Sequence, residues 1–256
     1  MRLKKVNKVL NICLPILTIL VLMLIWFLAA KMVNESIILP APYEVFDKLF
    51  IALGNGKFWI NFICTIGRSL IAFAISFLLG TCLAILVNYS SISKSIVGVL
   101  VSIIRAMPTI AVILLLLLWT TSKVAAVVVT MLVVLPTMYS SMQVALSKID
   151  NDIISMMKRF GVSKKKQYTK YILPITMPST IQTIGSGLAL NIKLIVAAEV
   201  IAGTVRSIGN MMTEAKLYFE TAELFAIVLL MVIVAVVVEL VFHKIATKIG
   251  GKYENK

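Results

Sequence analysis

The chain has little histidine, little cysteine and few acidic groups. Its 256 residues include one histidine, three cysteines and 11 Asp and Glu, against 25 Lys and Arg. A single histidine, His243, excludes a metal cluster or a catalytic triad assembled from several imidazoles. Cys13, Cys64 and Cys82 are odd in number, lie in apolar runs and form no C-x-x-C, so they read as small apolar residues rather than a disulfide framework or metal site. No H-E-x-x-H, G-x-S-x-G or paired carboxylate set is present. GNGKF at 54–58 has the glycine-lysine end of a phosphate-binding loop. It lacks the first glycine, where Ile51 stands, and the Ser or Thr after lysine, where Phe58 stands. The chain therefore reads as a protein without catalytic chemistry of its own. Any uphill work done through it draws energy from a partner or an ion gradient.

Charge is also scarce. Charged residues make up 14% of the chain and hydrophobic residues 60%, with mean hydropathy +1.02. Soluble domains average about 25% charged and 45–50% apolar, so this is a membrane composition. A helix crosses the hydrocarbon core with about 20 mostly apolar residues. Six runs qualify: 10–30, 58–87, 96–119, 124–146, 180–202 and 223–242. The first follows MRLKK, as a signal peptide would, but it exceeds a signal h-region and no A-x-A site follows, so it reads as a retained span. The second is long enough to tilt. Pro108 and Pro136 fall inside the third and fourth and predict kinks.

An even number of spans puts both termini on one side. That side then holds Arg2, Lys4, Lys5, Lys8, Lys94, Lys148, the basic stretch 158–170 and the lysines of the C-terminal tail. The other holds only Lys31, Lys48, Lys57, Lys123, Arg206 and Lys216. Lys and Arg collect on the cytoplasmic side, which accounts for the net charge of +14 without nucleic acid. The expected organisation is a cytoplasmic N-tail at 1–9, one membrane domain at 10–242 with a cytoplasmic loop at 147–178, and a cytoplasmic C-tail at 243–256. Outside, LPAPYEVF at 39–46 predicts an extended turn at Pro40 and Pro42. Apolar residues at helical spacing follow from Tyr43 to Leu53 and would lie flat at the interface. Residues 203–222 read as a short polar connection turning at Gly203 and Gly209.

The loop is the one long polar segment. Ile153, Ile154, Met156, Met157 and Phe160 share a face of a short helix that Asn151 or Asp152 caps and Gly161 ends. Ser163 then caps a second helix over 164–171, and Leu173-Pro174 turns the chain back towards the membrane. Such an amphipathic helix suits a groove on a cytoplasmic partner; packing on its own protein is the alternative.

The segment resembles the coupling loop of permease subunits of binding-protein-dependent ABC importers, which reads EAA, three residues, Gly, nine residues, Ile, one residue, Leu-Pro. Gly161 and Leu173-Pro174 match in spacing, whereas Ser155-Met156-Met157 stands for EAA and Tyr171 for Ile. Gly161-Val162-Ser163, Pro178, Ala197-Ala198-Glu199, LPAPYEVF and RAMPTIAVILLLLLW at 105–119 resemble the nitrate, sulfonate and taurine branch. Trp119-Thr120-Thr121 replaces its usual WFG. The resemblance implies an all-α polytopic protein of six transmembrane helices, with type I importer (MetI-like) architecture, in a bacterial cell membrane. It implies a permease homodimer, a dimer of ABC ATPase subunits carrying ATP and Mg, and an extracytoplasmic solute-binding protein, with no cofactor on this chain. Asp152, Ile153, Ile154, Ser155, Met156, Met157, Phe160, Gly161, Leu173 and Pro174 would contact or align the ATPase. The cargo would be a small solute of sulfonate, taurine, nitrate or thiamine-precursor type. The rival reading is a self-sufficient secondary transporter or channel, which leaves the loop spacing unexplained.

Ionisable residues inside spans are costly and mark function by default. Arg68, Arg105, Lys193, Glu199 and Glu239 are of this kind. Glu239 lies near a span end, and Arg68 is positioned to pair with Glu199. Arg105, Lys193 and Glu199 are the candidate translocation-pathway residues. Arg105 and Lys193 either face the dimer axis, favouring an anionic or zwitterionic cargo, or pair with Glu199. Gly185, Gly187 and Ala189 predict close helix packing.

Overall fold

The computed structural model describes residues 2–88 and 90–254, with side chains described for 14–88, 90 and 92–251. The side chains of Arg2, Lys4, Lys5, Lys8, Cys13, Lys252 and Lys256 lie outside the described residues. Among the described residues all regular structure is helical: α1 Arg2–Val33, α2 Pro42–Gly54, α3 Gly56–Val87, α4 Ser91–Ala106, α5 Thr109–Trp119, α6 Ser122–Leu146, α7 Asn151–Arg159, α8 Lys164–Gln167, a π-helical turn Tyr168–Ile172, α9 Leu173–Ala202, α10 Ile208–Leu217 and α11 Thr221–Glu254.

Five stretches are long and apolar enough to cross a membrane: Leu14–Val33, Gly56–Val87, Ser122–Leu146, Lys164–Ala202 and Thr221–Gly251. The expected third span is not one kinked helix. It is the pair α4 and α5, meeting at 90°. The cause is local. A residue before proline is pushed out of the helical region, and Met107 is extended at φ −66°, ψ 125°. Pro108, without an N–H to donate, begins the next helix as its N-cap. By contrast α6 runs through Pro136 as one helix.

The helices divide into two compact units. The smaller is Met1–Trp59 with Met211–Leu230. Here Pro42 opens α2, and the Glu44 carboxylate accepts from Ala41 N (3.0 Å) and Ser36 Oγ (2.8 Å). Val45 and Leu49 are buried while Phe50 and Ile51 stay exposed. Trp26 donates from Nε1 to Pro40 O at 3.1 Å and stacks on Phe225. Thr221 Oγ1 donates to Ile37 O at 2.6 Å.

The larger unit is Ile60–Asn210 with Met231–Lys256. Its centre is an antiparallel pair, α6 and α9, in register from Lys148 against Ser179, through Met138 against Gly187, to Thr204 Oγ1 on Ser122 O. The small residues permit this approach. A Cβ on Gly187 would fall 2.5 Å from Met138 Cε, and one on Gly80 of α3 would fall 2.8 Å from Tyr139 N. Phe73, Val134 and Met138 form one buried cluster; Ala84, Val87, Val97, Val101, Tyr139 and Met142 form another. The connection at 203–222 is not merely a polar turn. It contains α10, because Ser207 Oγ accepts from Asn210 N at 2.9 Å and so caps a new helix.

Candidate functional site

Two constellations in the larger unit carry the sequence-predicted residues. The first is the loop helix α7. Its N-cap is Asp150, one position before the predicted Asn151 and two before the predicted Asp152. The Asp150 carboxylate accepts from Asp152 N at 2.8 Å, which places Asp152 inside the first turn. Asp152 at the start and Lys158 and Arg159 at the end match the helix dipole. The helix stops in a Schellman arrangement: Gly161 N donates to Lys158 O and Val162 N to Met157 O, both at 3.0 Å, with Gly161 at φ +69°. A left-handed backbone of this kind favours glycine.

The loop is tied down at both ends. Asp150 N donates to the Tyr171 hydroxyl at 3.0 Å, and Gln167 Nε2 donates to Val162 O at 2.7 Å. Tyr171, the departure from the family's isoleucine, thus anchors the start of α7. No residue of α7 is buried. Ile153, Met156 and Phe160 are 36%, 51% and 80% exposed, while Ile154 and Met157 are half-buried. Ser155 lies exposed on the same helix.

Leu173 and Pro174 do not turn the chain. They open α9, and helix continues from Lys164 to Ala202. The π turn over Tyr168–Ile172 explains how. Pro174 cannot donate, and its ring crowds the carbonyl four residues back. Widening the preceding turn, with Leu173 N bonded to Tyr168 O, absorbs that crowding without a break.

The second constellation surrounds Glu199, which is 0% exposed, as is its side chain; the side chain of its partner Arg68 is 12% exposed. Glu199 Oε1 accepts from Arg68 Nε at 2.8 Å and from the guanidinium's terminal nitrogen at 2.7 Å. Oε2 accepts from Thr65 Oγ1 at 2.9 Å and Gly209 N at 3.3 Å. Arg68 also donates to Arg206 O at 3.0 Å, and Thr65 Oγ1 accepts from Ile208 N at 2.9 Å. Arg206 sits at φ +51°, a conformation costing a non-glycine residue roughly 1 kcal/mol, and so presents its carbonyl to Arg68. At the end of α9, Gly203 at φ +61° repeats the Schellman closure, with Thr204 N on Glu199 O at 3.0 Å. The pair predicted between Arg68 and Glu199 is present, and it fastens α3 to the end of α9 and the start of α10. Sequence reasoning missed Thr65, Gly209 and the Arg206 carbonyl. Two of these act through backbone atoms, which residue types do not reveal.

Arg105 and Lys193 do not reach Glu199. Arg105, in the last turn of α4, donates to Ser140 Oγ and to Pro136 O of α6. Lys193 is exposed on α9 and makes no ion pair among the described residues.

The fold and loop define a polytopic helical membrane protein with a tethered, uncovered loop helix. The chain belongs to the binding-protein-dependent transport system inner membrane component family, whose model matches residues 75–251. It is a permease subunit of the ABC importer type. Relatives include a probable ABC transporter permease protein of Brucella melitensis, 22% identical over 78% of this chain and 80% of the relative. The taurine transport system permease protein TauC of Escherichia coli is 25% identical over 90% of this chain and 86% of TauC. Among solved structures, an inward-facing MetNI methionine ABC transporter matches with TM-score 0.61 at 17% identity, covering 75% of this chain and 96% of that one. An amino acid ABC transporter matches with TM-score 0.55 at 16% identity, covering 74% and 91%. The fold is therefore the MetI-type permease fold.

Proposed function

We propose that this permease forms a homodimer and couples to a dimer of cytoplasmic ATPase subunits through residues 152–174. The carrying observation is the uncovered face of α7: Ile153, Met156 and Phe160 lie open on a helix fixed at both ends. An apolar stripe on a rigid short helix matches a partner's groove. Both termini and this loop face the cytoplasm on the positive-inside argument. ATP and Mg belong to the partner, and a solute-binding protein delivers cargo from the other side. ATP-driven closure of the ATPases draws the two α7 helices together and shifts the permease between inward- and outward-open states, whose different affinities for the partners drive alternating access.

The cargo class is a small sulfonate or taurine-like solute. The TauC relationship and the branch motifs at Gly161–Ser163 and Ala197–Glu199 support it. The test is co-purification. Replacing Ile153, Met156 and Phe160 with serine should leave the permease in the membrane and release the ATPase. Retention of the ATPase by that variant would overturn the reading.

A further inference from the structure

The exposed faces of α6 and α9 carry polar side chains where a lipid-facing helix would be apolar. Ser141 and Val144 of α6 and Lys148 just beyond its end, with Ser179, Gln182, Thr183 and Ser186 of α9, line an open groove of about 320 Å³ in which Val144 is the one apolar side chain. Within spans, polar groups face a water-filled or protein-lined space, because lipid cannot satisfy them. The groove lies at the loop end of the antiparallel pair. Lys148 reaches across it to Ser179 Oγ. The Gln182 side-chain amide makes no hydrogen bond among the described residues. No lining side chain is acidic. Gln182, Ser186 and Lys193 follow one helix face, placing Lys193 about 10 Å beyond Ser186 at 1.5 Å per residue. Neither lysine pairs with a carboxylate among the described residues.

We infer that this groove is an anion-binding station for a sulfonate or carboxylate head group, with Lys148 and the Gln182 amide as donors and Lys193 as the next cation along the same face. A head group displacing Ser179 from Lys148 would exchange a hydrogen bond to a neutral hydroxyl for one to an anionic oxygen, pairing the ammonium with an opposite charge. The inference rests on the permease reading above and adds to it the residues that select charge.

The test uses the complete transporter in lipid nanodiscs, with Cys13, Cys64 and Cys82 replaced by serine and Ser186→Cys as reporter. Anionic sulfonatoethyl and cationic trimethylammonioethyl methanethiosulfonate are compared. The anionic-to-cationic rate ratio should exceed that of a free thiol by on the order of tenfold, as a focused positive field requires. Methanesulfonate should slow the anionic reagent. The ratio should fall to the free-thiol value in Lys148→Gln and persist in Lys148→Arg. A free-thiol ratio in the parent, no protection by methanesulfonate, or no reaction with either reagent would overturn the station. ATPase stimulation by loaded binding protein, read on the same variants, reports on the permease assignment alone. Its retention alongside a flat ratio would remove the station and leave the permease.

Discussion

Helix α7 and its C-cap expose Ile153, Met156 and Phe160, whereas the far end of α9 encloses Arg68 and Glu199. Each region inverts the ordinary arrangement of a protein, apolar side chains outside in one and ionisable groups inside in the other. The difference is one of completeness. Every Glu199 oxygen has donors, and Arg68 has both the carboxylate and the Arg206 carbonyl. This inversion is resolved within the chain and is structural. The apolar face of α7 is uncovered in the chain, although its backbone is capped and tethered. A satisfied anomaly holds a fold together; an unsatisfied one on a rigid support calls for a partner.

The comparison breaks most sharply at Glu199. Glu199→Ala would strand a largely buried guanidinium, at a cost of about 3–5 kcal/mol. Thermal unfolding of the purified permease should show a large loss, and replacing Arg68 and Glu199 together with Met and Leu should recover most of it. Next comes Gly209→Ala. Its Cβ would lie 2.5 Å from Glu199 Cβ and 2.7 Å from Val200 N, neither of which can yield freely. A loss of about 1–3 kcal/mol is expected, again by thermal unfolding. Asp150→Ala removes the α7 cap and should cost about 1 kcal/mol locally. Hydrogen exchange should show faster opening of 151–153, with the α6–α9 pair unchanged. The smallest stability effect belongs to Phe160→Ser, within about 0.5 kcal/mol for an exposed position, yet ATPase retention on an affinity column should fall. A stable ATPase complex in that variant would erase the distinction between the two regions.

A further contrast falls at Gly161. The residue makes no close contact that a Cβ would disturb, but its φ of +69° disfavours any side chain. Gly161→Pro should therefore leave insertion intact while misdirecting α7, so that ATP hydrolysis continues without uptake. Normal uptake would show that the direction of α7 does not matter.

Much of this was readable in the residues themselves. Composition and run length gave the spans, Gly161 the end of α7, and opposite charges in two spans the pairing of Arg68 with Glu199. The break at Pro108 was visible only as a kink, because the pre-proline rule fixes Met107 but not the angle between the helices. The π turn before Pro174 has no sequence signature; it is a response to crowding that becomes definite in three dimensions. Helix α10 was hidden because Ser207 belongs equally to turns and caps. Asp150, Asn151 and Asp152 are all competent caps, and the chain uses the first.

The uninterrupted helix from Lys164 to Ala202 has a kinematic consequence. Leu173 and Glu199 stand about 39 Å apart on one element at 1.5 Å per residue, and a helix resists axial compression. An axial shift imposed beside the loop therefore travels to the Arg68–Glu199 fastening along one element, less what the five-residue π turn and the missing hydrogen bond at Pro178 take up. The loop and the remote end of α9 are thus joined by one continuous element whose compliance is concentrated at the π turn and at Pro178.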